Sequence, residues 1–314
     1  MNLDDHQPVS PGADSHDGQP REESAVEPLE PAVPGDVSGH PISYAASATS
    51  PHNQPKAPLP EDLQTYWGWT HFIVFLFFAS ASFVLVQAAL AVYFAPPHRL
   101  TPREYQQYLL NKPEFLIGSN LIWYGAIFLF LYVTLSVLRG APFWTSLGWR
   151  RLKLNSFAGR LTGGWRYFFS GSALAIFVVL ASSQIHTAER LPIQEVLKNR
   201  YSALLLMCMA VVVAPVVEET IFRGYLYPLF ARSFGIGPGV VLTGTLFGLM
   251  HGTQLGWTWG IVFLLIVVGV IFTFARARTG TVVASFLLHL GYNSMIAAAT
   301  IIGTRAFTKM PISP

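Results

Sequence analysis

From Tyr66 onward the apolar residues run in long unbroken stretches, neither confined to one helical face nor alternating. A bilayer-spanning helix needs ~20 such residues. The pattern predicts seven spans: Trp67 to Phe94, Phe115 to Leu138, Trp165 to Ile185, Ala203 to about Phe222, a short one from Pro238 to His251, Trp257 to Ala275, and Val282 to Ile302. Backbone groups cannot stay unpaired in lipid, so the spans must be helices or a closed barrel, and continuous apolarity excludes the alternation of a barrel strand. The predicted fold class is therefore all-α, a polytopic transmembrane helix bundle of about seven spans.

Residues 1–62 break the pattern. They hold eleven of the 22 prolines, together with many Ser, Gly, His and acidic residues and no long apolar run. Such a segment buries too little surface to fold alone and reads as a disordered, acidic, Pro-rich tether. It has no basic segment followed by an apolar core and does not read as a signal peptide. The expected organisation is a tail over 1–62, N-terminal transmembrane helices with an interfacial segment over 63–200, a functional core over 201–302 and a short C-terminal tail over 303–314.

Charge sharpens this division. The overall +3 combines eleven Asp/Glu against two Lys/Arg in residues 1–62 with six against eighteen in residues 63–314. Every Asp lies in the first part, so the apolar body carries only Glu104, Glu114, Glu189, Glu195, Glu218 and Glu219, and chemistry needing an Asp in the body is excluded. The single cysteine, Cys208, excludes an intramolecular disulfide and a Cys-based zinc cluster. Arg139, Arg150, Arg151, Lys153, Arg160 and Arg166 follow the second span, which assigns that loop, and with it the N-terminal tail, to the cytoplasm. Arg276 and Arg278 agree. Trp144 and Trp149 beside Arg150 and Arg151 predict a segment lying along the inner headgroups.

Ionisable residues inside a span are costly and point to function. Glu218 and Glu219 follow directly on an apolar run. On a helix Glu219 and Arg223 share a face and can pair, whereas Glu218 points about 100° away with no local partner. Either both carboxylates face water at a helix end, or Glu219 and Arg223 brace a site in which Glu218 acts. Phe247 and His251 stand one turn apart in the fifth span, and His289 and Asn293 one turn apart in the seventh. A carboxylate can deprotonate water, and imidazole and amide N–H groups can stabilise the oxyanion formed when that water attacks a carbonyl. The same groups could hold Zn²⁺ with a bound water as nucleophile. Other intramembrane chemistries are missing their parts: no His-Glu-x-x-His pair, no Asp in the body, and no Gly-x-Ser-Gly.

These residues resemble the CPBP family, the CAAX prenyl endopeptidases of the Rce type and their bacterial relatives linked to bacteriocin processing and self-immunity. The family pattern is Glu-Glu-x-x-x-Arg, Phe-x-x-x-His and His-x-x-x-Asn, each on its own transmembrane helix, and it reads here as Glu218-Glu219-Thr-Ile-Phe-Arg223, Phe247-Gly-Leu-Met-His251 and His289-Leu-Gly-Tyr-Asn293. The resemblance covers about Tyr201 to Ile302. It implies an intramembrane glutamic endopeptidase: Glu218, assisted by His251, activates water, His289 and Asn293 form the oxyanion hole, and Glu219, Arg223 and Phe247 support the site. It implies no cofactor, with zinc the alternative, and a membrane-associated peptide or protein substrate in the bilayer, without nucleic acid. The implied location is a bacterial cytoplasmic membrane, with multiple passes. A non-catalytic scaffold, an immunity protein and a proton-coupled transporter are the competing functions. Convergence of the motifs further requires the fourth helix to continue past Arg223 or the fifth to begin above the hydrocarbon. A cavity opening to the cytoplasmic half of the membrane is expected.

Overall fold

The computed structural model describes residues 60–96, 98, 100–110, 112–153, 163–185 and 200–305. The expectations for residues 1–59 and 306–314, and Arg160, lie outside these. All regular elements among the described residues are helical, as predicted. Six helices among the described residues are long and apolar enough to cross a membrane: α1 (Trp69–Tyr93), α3 (Pro113–Val137), α5 (Trp165–Ser182), α6 (Arg200–Phe234), α8 (Trp259–Thr279) and α9 (Val282–Gly303). The shorter α7 (Ile236–Met250) is the predicted fifth span. Among the described residues, two α-helical elements lie outside the spans, α2 (Pro102–Leu110) and the single turn α4 (Phe143–Ser146).

The α2 helix starts with a capping box, whose Glu104 carboxylate accepts from the Thr101 backbone N–H at 2.8 Å and from its hydroxyl at 2.7 Å. These bonds hold the Glu104 carboxyl below its ordinary range.

Small residues set the helix spacing. The α-carbons of Gly171 on α5 and Gly291 on α9 face the backbone of Leu288 and Phe168 with no room for a Cβ, and Ser172 Oγ donates to the Gly291 carbonyl at 3.1 Å. Gly244 and Gly248 on α7 likewise meet the backbone of Val270 and Ile266 on α8. With lipid as solvent, such backbone approach supplies the packing that apolar burial cannot.

The α6 helix differs most from its prediction. It does not stop near Phe222 but runs 35 residues to Phe234, so Glu218 lies in its middle and not at an end. Two wide, π-helical turns interrupt it, Met209–Val213 and Thr220–Leu226, on either side of the Glu pair. Turns of this kind often mark functional sites.

Two boundaries also shift. The predicted interfacial segment is surface-lying only in part. Trp144 is half exposed, but Leu147 is fully buried, and Trp149 Nε1 donates to Thr220 Oγ1 at 3.0 Å. The Val282 N–H donates to the Gly148 carbonyl at 2.9 Å, so the segment wedges between α6 and α9. The end of the acidic tail is part of the body as well: Glu61–Leu63 form a 3-10 turn, Leu63 is buried against Tyr227, Ala231 and Val240, and Asp62 Oδ2 lies 2.7 Å from Nη1 of the fully buried Arg276. A buried guanidinium needs a partner, and the sequence places it 214 residues away.

Candidate active site

Glu218, His251 and His289 come together from α6, the end of α7 and α9. Glu218 Oε2 lies 3.9 Å from His251 Nε2 and 3.8 Å from His289 Nε2. Both distances exceed a direct hydrogen bond and suit a water bridging Glu218 to either ring. The far side of each ring is anchored. His251 Nδ1 lies 2.8 Å from the Phe247 carbonyl, and His289 Nδ1 lies 3.0 Å from Glu219 Oε1. Since a carbonyl and a carboxylate accept, each Nδ1 carries the hydrogen, which leaves both Nε2 lone pairs facing Glu218 in the neutral rings.

Glu219 and Arg223 are fully buried, which rules out a solvated pair at a helix end. Arg223 Nη1 donates to Glu219 Oε1 at 2.9 Å, Nη2 to the Gly269 carbonyl at 2.9 Å, and Nε to Thr273 Oγ1 at 3.2 Å. Its guanidinium stands over the Phe247 ring, 4.4 Å from the centroid. Phe247 thus separates the ion pair from the cavity and carries His251 one turn on. Three guanidinium nitrogens held by three acceptors offset the desolvation that makes isolated buried pairs unfavourable. Gly269 and Thr273 on α8 were missed by sequence reading. Neither has a motif of its own; the nearest signal was the need of an intramembrane Arg for acceptors beyond one carboxylate.

Asn293 lines the same cavity and donates from Nδ2 to the Ala210 carbonyl at 2.7 Å. The π turn explains that bond. The Ala214 N–H reaches back to the Met209 carbonyl, and Pro215 has no N–H, so neither can serve Ala210. One Asn293 N–H fills the gap; the second remains available.

These residues lie at one end of a cavity of about 440 Å³. Its lining continues along α6 back to Leu206, along α9 on to Thr300, and onto Asn120 and Tyr124 of α3. The cavity lining therefore continues away from the basic residues Arg139, Arg150 and Arg151. The physical reason is packing: on the basic side of Glu218 the bundle is filled by Leu147, Phe222, Tyr225, Leu226, Leu229 and Phe230.

The fold is that of a multi-pass helical membrane protein. Residues 200–295 match the family described as type II CAAX prenyl endopeptidase Rce1-like, in agreement with the resemblance read from the three motifs, and the match points to an intramembrane endopeptidase of the CAAX protease type. No curated protein and no solved structure is significantly similar to the chain.

Proposed function

We propose that the protein is a glutamic intramembrane endopeptidase that hydrolyses a peptide bond of a membrane-associated substrate. The observation that carries this reading is the approach of Glu218 Oε2 to within 4 Å of two imidazole Nε2 atoms on other helices, at the closed end of a cavity. In the proposed reaction Glu218 takes a proton from a water held by His251. The hydroxide attacks the carbonyl carbon, and the second Asn293 N–H with His289 Nε2 stabilises the oxyanion. His289 donates from Nε2 only with both ring nitrogens protonated, because Nδ1–H is committed to Glu219. The C–N bond then breaks, and Glu218 returns its proton to the leaving amine.

Two imidazoles and a carboxylate are also a donor set that a divalent cation takes, and its imidazole ligands are ordinarily oriented through their other nitrogen as these are. Among the described residues, however, no group of three or more His, Cys, Asp or Glu side chains has metal-ligating spacing, and water remains the favoured occupant. If zinc bound here, Glu218, His251 and His289 would hold it, and it would supply Lewis acidity to the same water.

The test is cleavage of a panel of quenched fluorescent peptides by detergent-purified protein, with Glu218→Gln in parallel and zinc content measured on both. Cleavage by the parent, loss in the variant at equal thermal stability, and no stoichiometric zinc support the glutamic mechanism. One zinc per chain, lost with activity in His251→Ala, makes the site a metalloprotease. Full cellular function of Glu218→Gln at normal expression would make the protein a scaffold or immunity protein.

A further inference from the structure

Two polar residues of the cavity come from outside the matched part of the chain. Asn120 and Tyr124, one turn apart on α3, line the same space as Glu218, His251, His289 and Asn293. The α3 helix reaches the site because it packs against the first turns of α6.

An amide inside an apolar span is costly in lipid and points to a task. Between Phe115 and Leu131 the helix otherwise holds apolar or aromatic side chains, glycine and Ser119. Ser119 Oγ is spent on the Leu116 carbonyl at 3.0 Å, and Trp123 Nε1 on the Ala79 carbonyl of α1 at 2.9 Å, so both serve the fold. Asn120 and Tyr124 keep polar atoms to spare. Asn120 Nδ2 donates to the Leu116 carbonyl at 2.7 Å, which fixes the amide and leaves Oδ1 and one N–H for a ligand. The Tyr124 hydroxyl has no hydrogen-bond partner among the described residues, and it stands close enough to Glu218 for the carboxylate charge to act on it.

A peptide held in such a cavity must find partners for its main-chain N–H and C=O groups, because unpaired ones are costly away from water. In an extended chain the groups of alternate residues point the same way, about 6.6 Å apart. Asn120 and Tyr124 are ~6 Å apart along their helix. The Glu218 cluster is committed to the chemistry, and the Thr300 hydroxyl donates to the Ile296 carbonyl of its own helix at 2.9 Å. The α3 pair offers an acceptor and a hydroxyl donor at the spacing that an extended main chain presents.

We infer that Asn120 and Tyr124 hold the main chain of an extended substrate segment beside the scissile bond, with Asn120 Oδ1 accepting from a peptide N–H and the Tyr124 hydroxyl donating to a peptide carbonyl. The inference rests on the endopeptidase reading and carries its site onto a helix outside residues 200–295. Contacts of this kind select an extended, unfolded conformation rather than a sequence.

The test uses the quenched fluorescent peptide that the purified parent cleaves fastest. Tyr124→Phe keeps the ring and removes only the hydroxyl, and Asn120→Ala removes the amide. Each is expected to raise KM about two- to tenfold, the worth of one hydrogen bond, with little change in kcat, in the pH profile or in melting temperature. A scan of the peptide with single N-methyl groups should find one position where methylation costs the parent as much as Asn120→Ala does and costs that variant nothing more. Parental KM in both variants overturns the inference, as do N-methyl costs that add to Asn120→Ala at every position. A shifted pH profile in Tyr124→Phe also overturns it, since the hydroxyl would then act on Glu218 and not on the substrate. In each of these cases cleavage by the parent that Glu218→Gln abolishes leaves the endopeptidase reading standing. A parent that cleaves no peptide of the panel instead removes the reading on which the inference rests.

Discussion

Asn293 donates to the Ala210 carbonyl at 2.7 Å, and so joins α9 to the one stretch of α6 where a proline and a π turn leave an acceptor without a helical donor. The bond gives a proposed oxyanion donor a second task in the fold. Asn293→Ala is expected to lower stability by about 1–3 kcal/mol, the cost of an unpaired buried carbonyl, in addition to losing activity. Thermal unfolding of the purified variant checks this; unchanged stability would mean that the amide serves catalysis alone.

Glu219→Gln should unfold more easily than the parent. It leaves Arg223 buried with one fewer negative partner, a penalty on the order of 3 kcal/mol, and weakens the bond that fixes His289 Nδ1. Arg223→Lys should also be less stable than the parent, because one ammonium cannot reach Glu219, Gly269 and Thr273 in the fork geometry that guanidinium provides. Denaturation midpoints in one detergent compare the three proteins.

The two histidines should separate by stability. His289→Ala removes a buried ring packed against Phe247 and Phe272 and is expected to cost both activity and about 2–4 kcal/mol of stability, as large-to-small core changes do. His251→Ala removes a partly exposed ring at a helix end and should lose activity at nearly parental stability. Equal destabilisation by both would show that His251 is also a packing residue.

Gly291→Val drives a branched side chain into the backbone of Phe168. Overpacking of this kind costs about 1–3 kcal/mol or more, and here neither helix can retreat without opening the α5–α9 interface. The expected result is a lower melting temperature and loss of activity, since His289 rides on the same helix. Gly303→Val, where nothing lies within 4 Å, is the control.

Asp62→Ala should destabilise the body despite its place at the end of an acidic tail. Arg276 is fully buried and loses its carboxylate partner, which predicts a loss on the order of 3 kcal/mol. Circular dichroism melts of the variant against the parent measure it.

The sequence by itself determined the membrane class and the positions of the spans, because lipid forces backbone bonds into local helices and apolar length then marks each one. It also singled out the polar residues of the candidate site, since Glu218, Glu219, Arg223, His251, His289 and Asn293 stand out against an apolar background at one-turn spacings. The partners and directions were decided only in three dimensions. That Arg223 rests on Gly269 and Thr273, that Asn293 serves Ala210, and that Asp62 neutralises Arg276 are bonds between residues 46 to 214 positions apart. No local periodicity encodes them. The length of α6 was misread because Arg223 ends the apolar run, while in the bundle its charge is fully paired and the helix passes through. The side on which the cavity lies depended on where Leu147 and Tyr225 pack. Loop charge orients a chain in the membrane, but side-chain volume decides which end of a bundle is filled.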